Sequence, residues 1–222
     1  MNVKFFIVGY GRSGTTWLAH ALDLDGSVRV WHEPLHEFDR RFAPGLRGGG
    51  MGAGEFLARR VKLMERVAAG HPGQDYAEVN GYLSLCVPGL RRRFSTRVVG
   101  LVRDGRLTMR STLIRMQQRE GTGLVARCCQ DWADTYRVLL SQGVPVFKLE
   151  ALNEEYGYFR YLCKVVGAEV SEEEWRMVAE KPVNQSIAHQ VEKFVWSDEH
   201  ARTFRESAGD VQEGFGYPLE GL

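Results

Sequence analysis

No apolar run in this chain approaches the roughly 20 residues that a membrane-crossing helix requires, which excludes an obvious helical span. The segment MNVKFFIVGY shows no basic stretch ahead of a long apolar run and a cleavage site, and goes straight into a strand-like pattern. No signal peptide is expected, and the expected location is cytoplasmic. Cysteine is scarce. Cys86, Cys128, Cys129 and Cys163 have neither paired zinc-ligand spacing nor the density of a disulfide scaffold, and read as reduced, mostly buried thiols. Charge of one sign is not in excess: 29 basic and 28 acidic residues leave a formal +1. A broad nucleic-acid footprint and an electrostatic membrane anchor are thereby excluded, so any anion site must be local. There is no HExxH, no Cys/His cluster and no Walker-type acidic strand end, so the expected chemistry needs no metal. With no composition break, residues 1–222 are expected to form one domain.

What is present is an alternation of strand and helix signals. Val3 to Val8 is a nearly continuous apolar run closed by Gly9, the pattern of a strand buried on both faces. After a glycine-rich turn, Thr15 to Asp23 has helical spacing and Gly26 stops it. Val28 to Trp31 reads as a second strand, ended by Pro34. Pro44 to Gly54 reads as a mobile loop and Glu55 to Ala69 as a helix. Arg97 to Val102 is a further strand, followed by Asp104 as the cap of a helix reaching about Gln118. Leu124 to Leu140 is helical, Val144 to Leu149 a strand and Leu152 to Val166 a helix, while beyond Glu180 only irregular chain and short helices are expected. The alternation implies an α/β, three-layer fold with a central parallel sheet flanked by helices, its ligand lying beyond the carboxyl ends of the strands.

Gly9-Tyr10-Gly11-Arg12-Ser13-Gly14-Thr15-Thr16 has the glycine spacing of a P-loop between a strand and a helix, where backbone N–H groups and a helix N-terminus bind an anion. Nucleotide triphosphatases require Lys after the second glycine; Thr15 stands there. Arg12 instead offers a planar fork of donors suited to a 5′-phosphate and the group attached to it.

These residues resemble the sulfotransferase family. Gly11-Arg12-Ser13-Gly14-Thr15-Thr16-Trp17-Leu18 is similar to its 5′-phosphosulfate loop, with Arg12 where many members have Lys. Val102 to Ser111 matches the family's 3′-phosphate motif, an Arg at a strand end (Arg103) and a Ser eight positions later (Ser111). Ser111 returns to the helix face of the Asp104 cap, so the pair can bracket one phosphate. Phe147 to Leu152 resembles a strand-and-helix junction of the family. The likeness covers about Val3 to Leu152.

The resemblance implies sulfuryl transfer from 3′-phosphoadenosine 5′-phosphosulfate (PAPS), leaving 3′,5′-diphosphoadenosine (PAP), to an acceptor hydroxyl or amine of a small-molecule, carbohydrate or natural-product partner. Arg12, Ser13, Gly14, Thr15, Thr16, Arg103 and Ser111 are the expected nucleotide-binding residues. Lys193, Phe194 and Trp196 are candidates for the adenosine end, and Trp17 is expected in the core. Trp31-His32-Glu33-Pro34 is similar to the Glu-Pro segment in which the family's carbohydrate and bacterial members carry a carboxylate base. Glu33 is therefore the expected base, partly buried and without an adjacent cation. His32 and His36 are second choices, and capping a turn or pairing with Arg40, Arg41 or Arg47 is the bland alternative for Glu33. Arg12 would also stabilise the leaving group. The Pro44 to Gly54 and Arg115 to Gly123 segments are expected to shape the acceptor pocket. A P-loop kinase or hydrolase and a catalytically silent nucleotide-binding module are the rival readings.

Overall fold

The computed structural model of the chain describes residues 1–115, 122–180 and 195–220. Its strands are β1 (Val3–Gly9), β2 (Val28–His32), β3 (Asp75–Asn80), β4 (Arg97–Val102) and β5 (Val146–Lys148). They form one parallel sheet in the order β2-β3-β1-β4-β5. The helices are α1 (Thr15–Leu22), α2 (His36–Arg47), α3 (Ala53–Ala69), α4 (Val87–Phe94), α5 (Gly105–Arg115), α6 (Thr122–Ser141), α7 (Leu149–Glu154), α8 (Tyr156–Val166), α9 (Glu172–Ala179) and α10 (Asp198–Gly214).

Alternation along β1 sends Phe6 and Val8 to one face and Phe5 and Ile7 to the other, each with essentially no exposure. The first face is covered by α3, α4, α5, α6 and α10 through side chains such as Phe56, Leu90, Met109, Trp132 and Phe204. The second is covered by α1, α7, α8 and α9 through Leu18, Leu152, Phe159 and Trp175. The result is the expected three-layer α/β arrangement, each large apolar side chain contributing about 1.5–3 kcal/mol on burial. Among the described residues no helix is long and apolar enough to cross a membrane. All four cysteines are free and buried, and burial pushes the thiols of Cys86, Cys129 and Cys163 up to about 12.

The structure departs from the sequence reading in four places. Pro44 lies inside α2, so the expected mobile loop begins only after Arg47. An interior proline costs about 3 kcal/mol; the stacking of Phe38 on Phe42 and Phe56 and the buried Asp39 hold the helix through it. Helix 152–166 is two helices, broken where Glu155 is extended (φ −124°, ψ 106°). Helix α10 is regular over 17 residues where irregular chain and short helices were expected. Strand β3, between β2 and β1, was not among the expected strands.

Its polar sequence, Asp-Tyr-Ala-Glu-Val-Asn, is tolerated because Glu78 and Asn80 enter a buried ion cluster. The Arg60 guanidinium donates from Nε to Asp39 Oδ1 (2.8 Å), from Nη2 to Asp39 Oδ2 (2.9 Å) and Glu78 Oε1 (2.5 Å), and from Nη1 to Glu78 Oε2 (3.0 Å). Tyr76 Oη donates to Glu78 (2.7 Å), and Asn80 Nδ2 to both carboxylates (2.8 and 2.7 Å). Arg60, Asp39 and Glu78 are all fully buried. Burial opposes the Arg60 charge, but the two acids outweigh it and raise its pKa. Replacing Arg60 by Leu would leave two carboxylates without their cation, and a loss of about 3–5 kcal/mol is expected in urea unfolding; a loss below about 1 kcal/mol would show that the cluster rearranges.

Candidate active site

The carboxyl ends of β1, β3 and β4 meet at one edge of the sheet, where helices leave β1 and β4 toward opposite sides. The approach is close. A Cβ on Gly9 would stand 2.4 Å from the Leu101 carbonyl oxygen, and one on Gly81 would stand 3.1 Å from the Gly11 nitrogen. Gly14 has φ +84° and caps α1, with Leu149 beneath it so near that a Cβ would lie 2.4 Å from Cδ2. Only glycine meets both conditions.

Arg12 occupies the left-handed region (φ +70°) inside the loop and donates from Nε to Ser111 Oγ at 2.9 Å. Arg103, at the end of β4, reaches the Arg12 carbonyl oxygen at 3.5 Å. The structure thus brings Arg12, Arg103 and Ser111 to one place on one face of the molecule. Burial lowers the pKa of Arg12, the nearby charges of Arg115 and Arg103 lower it further, and Glu33 opposes them. Burial likewise lowers Arg103, against Glu150, Asp104 and Tyr217. Ser13 is buried with its hydroxyl 3.1 Å from Tyr136 Oη. Trp17 is in the core, its Nε1 donating to Val178 O at 3.2 Å.

Glu33 follows β2 directly and has φ +45°. Its backbone N–H donates to Val79 O (3.2 Å), and its carboxylate accepts from Gly81 N (Oε1, 3.3 Å) and His36 Nδ1 (Oε2, 3.2 Å). The side chain is 14% exposed, enough to meet a substrate and too little to be freely solvated. Arg40 pairs with Glu37 instead. His32 faces the other way: its Nε2 is 3.0 Å from Thr15 Oγ1 and 3.3 Å from Thr16 Oγ1. The His36 ring packs at a tilt against Tyr82, ring centroids 5.8 Å apart.

Behind Arg103 lies a polar network that sequence reasoning missed. Asp104 Oδ1 accepts from the Arg106 N–H (2.9 Å), as a cap should, and from Gln212 Nε2 (2.9 Å); Gln212 Oε1 accepts from Gly105 N (2.9 Å). Burial alone would raise the Asp104 pKa, but hydrogen bonds from Arg106 and Gln212 hold it low. Glu150 accepts from Asp104 N (3.1 Å) and from Tyr217 Oη (2.6 Å). The junction of β5 and α7 is therefore both a fold element and a brace for Arg103. Only the helical period of α10 could have signalled Gln212. Of the adenosine candidates, Lys193 and Phe194 lie outside the described residues. Trp196 is buried, its ring centroid 5.7 Å from that of Phe204. Much of the Arg115 to Gly123 segment also lies outside the described residues.

No family model and no curated protein matches the chain. Solved structures do. A mouse sulfotransferase, SULT7A1, complexed with PAP is 12% identical over 95% of this chain and 86% of its own, with a TM-score of 0.60. The sulfotransferase domain of the Synechococcus PCC 7002 olefin synthase is 12% identical over 98% and 95% (TM-score 0.61), and a sulfotransferase from Alicyclobacillus acidocaldarius 12% over 93% and 95% (TM-score 0.53). The chain has the sulfotransferase fold.

Burial lowers the His32 pKa, so the folded protein binds that proton less tightly than the unfolded chain does. The neutral ring contributes its full stability above about pH 6.5, and the contribution is lost as pH falls below that value. Thermal unfolding at about pH 7.5 and about pH 5 should show a smaller acid-side loss in His32→Gln than in wild type. An equal loss in both proteins would exclude His32 as a source.

Proposed function

We propose that this protein is a PAPS-dependent sulfotransferase acting on a hydroxyl or amine of a small-molecule, carbohydrate or natural-product acceptor, with Glu33 as general base. The observation that carries the reading is the meeting of Arg12, Ser111 and Arg103 at the phosphate loop, with the Glu33 carboxylate held beside Gly81 at the neighbouring strand end. PAP in the SULT7A1 structure supports the same choice of nucleotide.

In this reading the amides of the loop from Ser13 to Thr16 and the start of α1 hold the 5′-phosphosulfate. Arg103 and Ser111 address the 3′-phosphate. The acceptor oxygen gives its proton to Glu33 as it attacks sulfur in line, and the bond from sulfur to the bridging phosphate oxygen breaks. The negative charge left on that oxygen is met by Arg12, whose part-buried guanidinium acts more strongly than it would in water. His36 Nδ1, donating to Glu33 Oε2, orients the carboxylate. His32, committed to Thr15 and Thr16, supports the loop instead of the base.

Calorimetry should find PAP bound more tightly than ATP; the reverse order would favour a kinase or hydrolase. In single-turnover assays with labelled donor across acceptor classes, Glu33→Gln should slow transfer by about 100-fold or more while leaving PAP affinity within about twofold. Arg103→Ala should weaken PAP by about 10–100-fold, as expected for loss of a charged hydrogen bond of about 1.5–3 kcal/mol. Unchanged transfer by Glu33→Gln would remove Glu33 from the chemistry.

A further inference from the structure

Tyr136 is a fully buried residue of α6, 123 positions from Ser13 in sequence, yet its hydroxyl sits at the phosphate loop. It donates to the Leu101 carbonyl oxygen (2.9 Å) and lies within hydrogen-bond distance of the Tyr10 N–H (3.4 Å) and Ser13 Oγ (3.1 Å). A phenol has one proton to give and two lone pairs with which to accept. With the Tyr10 amide and the Ser13 hydroxyl donating to it, the full capacity of this oxygen is used, and all of it is spent on backbone or side chains of the two elements that frame the site. Leu101 is two residues before Arg103; Tyr10 and Ser13 bracket Arg12.

The ring is fixed independently of the hydroxyl. It packs edge-on against Trp132 and Phe215, with centroids 5.1 and 5.5 Å away. Burial raises the pKa of the phenol, so its proton stays in place for the bond to Leu101. A phenylalanine would fill the same space equally well for packing, which makes the oxygen the feature that packing does not explain.

We propose that the Tyr136 hydroxyl is a positioning group of the donor site, locking the phosphate loop to the end of β4 so that the loop amides and Arg103 address the two ends of one nucleotide. This rests on the functional reading above. The hydroxyl touches no donor atom; it acts through the Tyr10 amide, Ser13 and the Leu101 carbonyl. Tyr136→Phe removes three hydrogen bonds at once and leaves the Tyr10 N–H and the Leu101 carbonyl without this partner, away from water.

The test compares wild type, Tyr136→Phe and Tyr156→Phe. Tyr156 serves as control because its hydroxyl donates to Val170 O (3.0 Å) within the layer on the opposite face of the sheet. Amide hydrogen exchange at Tyr10 and the loop residues after it should be about tenfold faster in Tyr136→Phe, with Phe6 in β1 unchanged. PAP affinity should fall and the KM for PAPS should rise by about tenfold, with the acceptor KM unchanged. Tyr156→Phe should lose thermal stability without either change. Loop exchange and PAP affinity in Tyr136→Phe both within about twofold of wild type would overturn the proposal, as would an equal loss of PAP affinity in Tyr156→Phe. A wild type that does not bind PAP would refute the functional reading, and the exchange measurement would still decide whether the hydroxyl locks the loop. Should Tyr136→Phe not fold, Ser13→Ala removes one of the same three bonds and is read in the same two assays.

Discussion

Taking a guanidinium out of water is among the costliest things a fold can do, and this protein does it with two opposite solutions. Arg60 is met by two carboxylates, which the Asn80 amide and the Tyr76 phenol hold in turn, all carried by one strand and two helices, and it becomes part of the core. Arg12 and Arg103 are held part-buried beside one another, with a serine hydroxyl and a backbone carbonyl as their hydrogen-bond acceptors, Glu33 opposing the burial of Arg12 and Glu150 and Asp104 that of Arg103. Their proton affinities are depressed by burial, and that of Arg12 also by its cationic neighbours. A dianion at this edge would relieve both strains together, which is the physical ground for proposing a binding site at the arginines, whereas the Arg60 cluster is already satisfied from within.

The brace and the site are continuous. Asn80, whose amide bridges Asp39 and Glu78, also accepts from Tyr82 N at 2.6 Å, and between them Gly81 gives its N–H to Glu33. Fixing the last turn of β3 therefore fixes the direction of the carboxylate. On the far side of β1, Asp104, Glu150 and Gln212 do the equivalent for Arg103.

Much of this was legible in the residues and some was not, for physical reasons. β1, its loop and α1 announce themselves because an apolar run, glycines and a helical period follow in order. Arg103 and Ser111 are singled out by the resemblance to the sulfotransferase motif, an Arg at a strand end with a Ser eight positions later. β3 is not legible: Glu78 and Asn80 look like solvent-facing residues until Arg60, 18 positions before Glu78 on a helix, neutralises that carboxylate and Asn80 donates to it. α10 hides its stripe of Ala201, Phe204, Ala208 and Val211 among charges, two of its four buried apolar positions being alanine. Tyr136 has the spacing of any aromatic on a buried helix face. What separates it from Trp132, one turn earlier, is the destination of a single oxygen, and no sequence pattern records that.

The glycine contacts at the sheet edge bear on how far such a chain can drift. Where backbone meets backbone, as Gly9 meets Leu101 and Gly81 meets Gly11, the fit asks for the absence of a side chain at very few positions and is indifferent to the identity of most others. Divergence can then run nearly to saturation elsewhere, provided volume and polarity are kept. That is how a chain with 12% of its residues in common with SULT7A1 can share its architecture over 95% of its length.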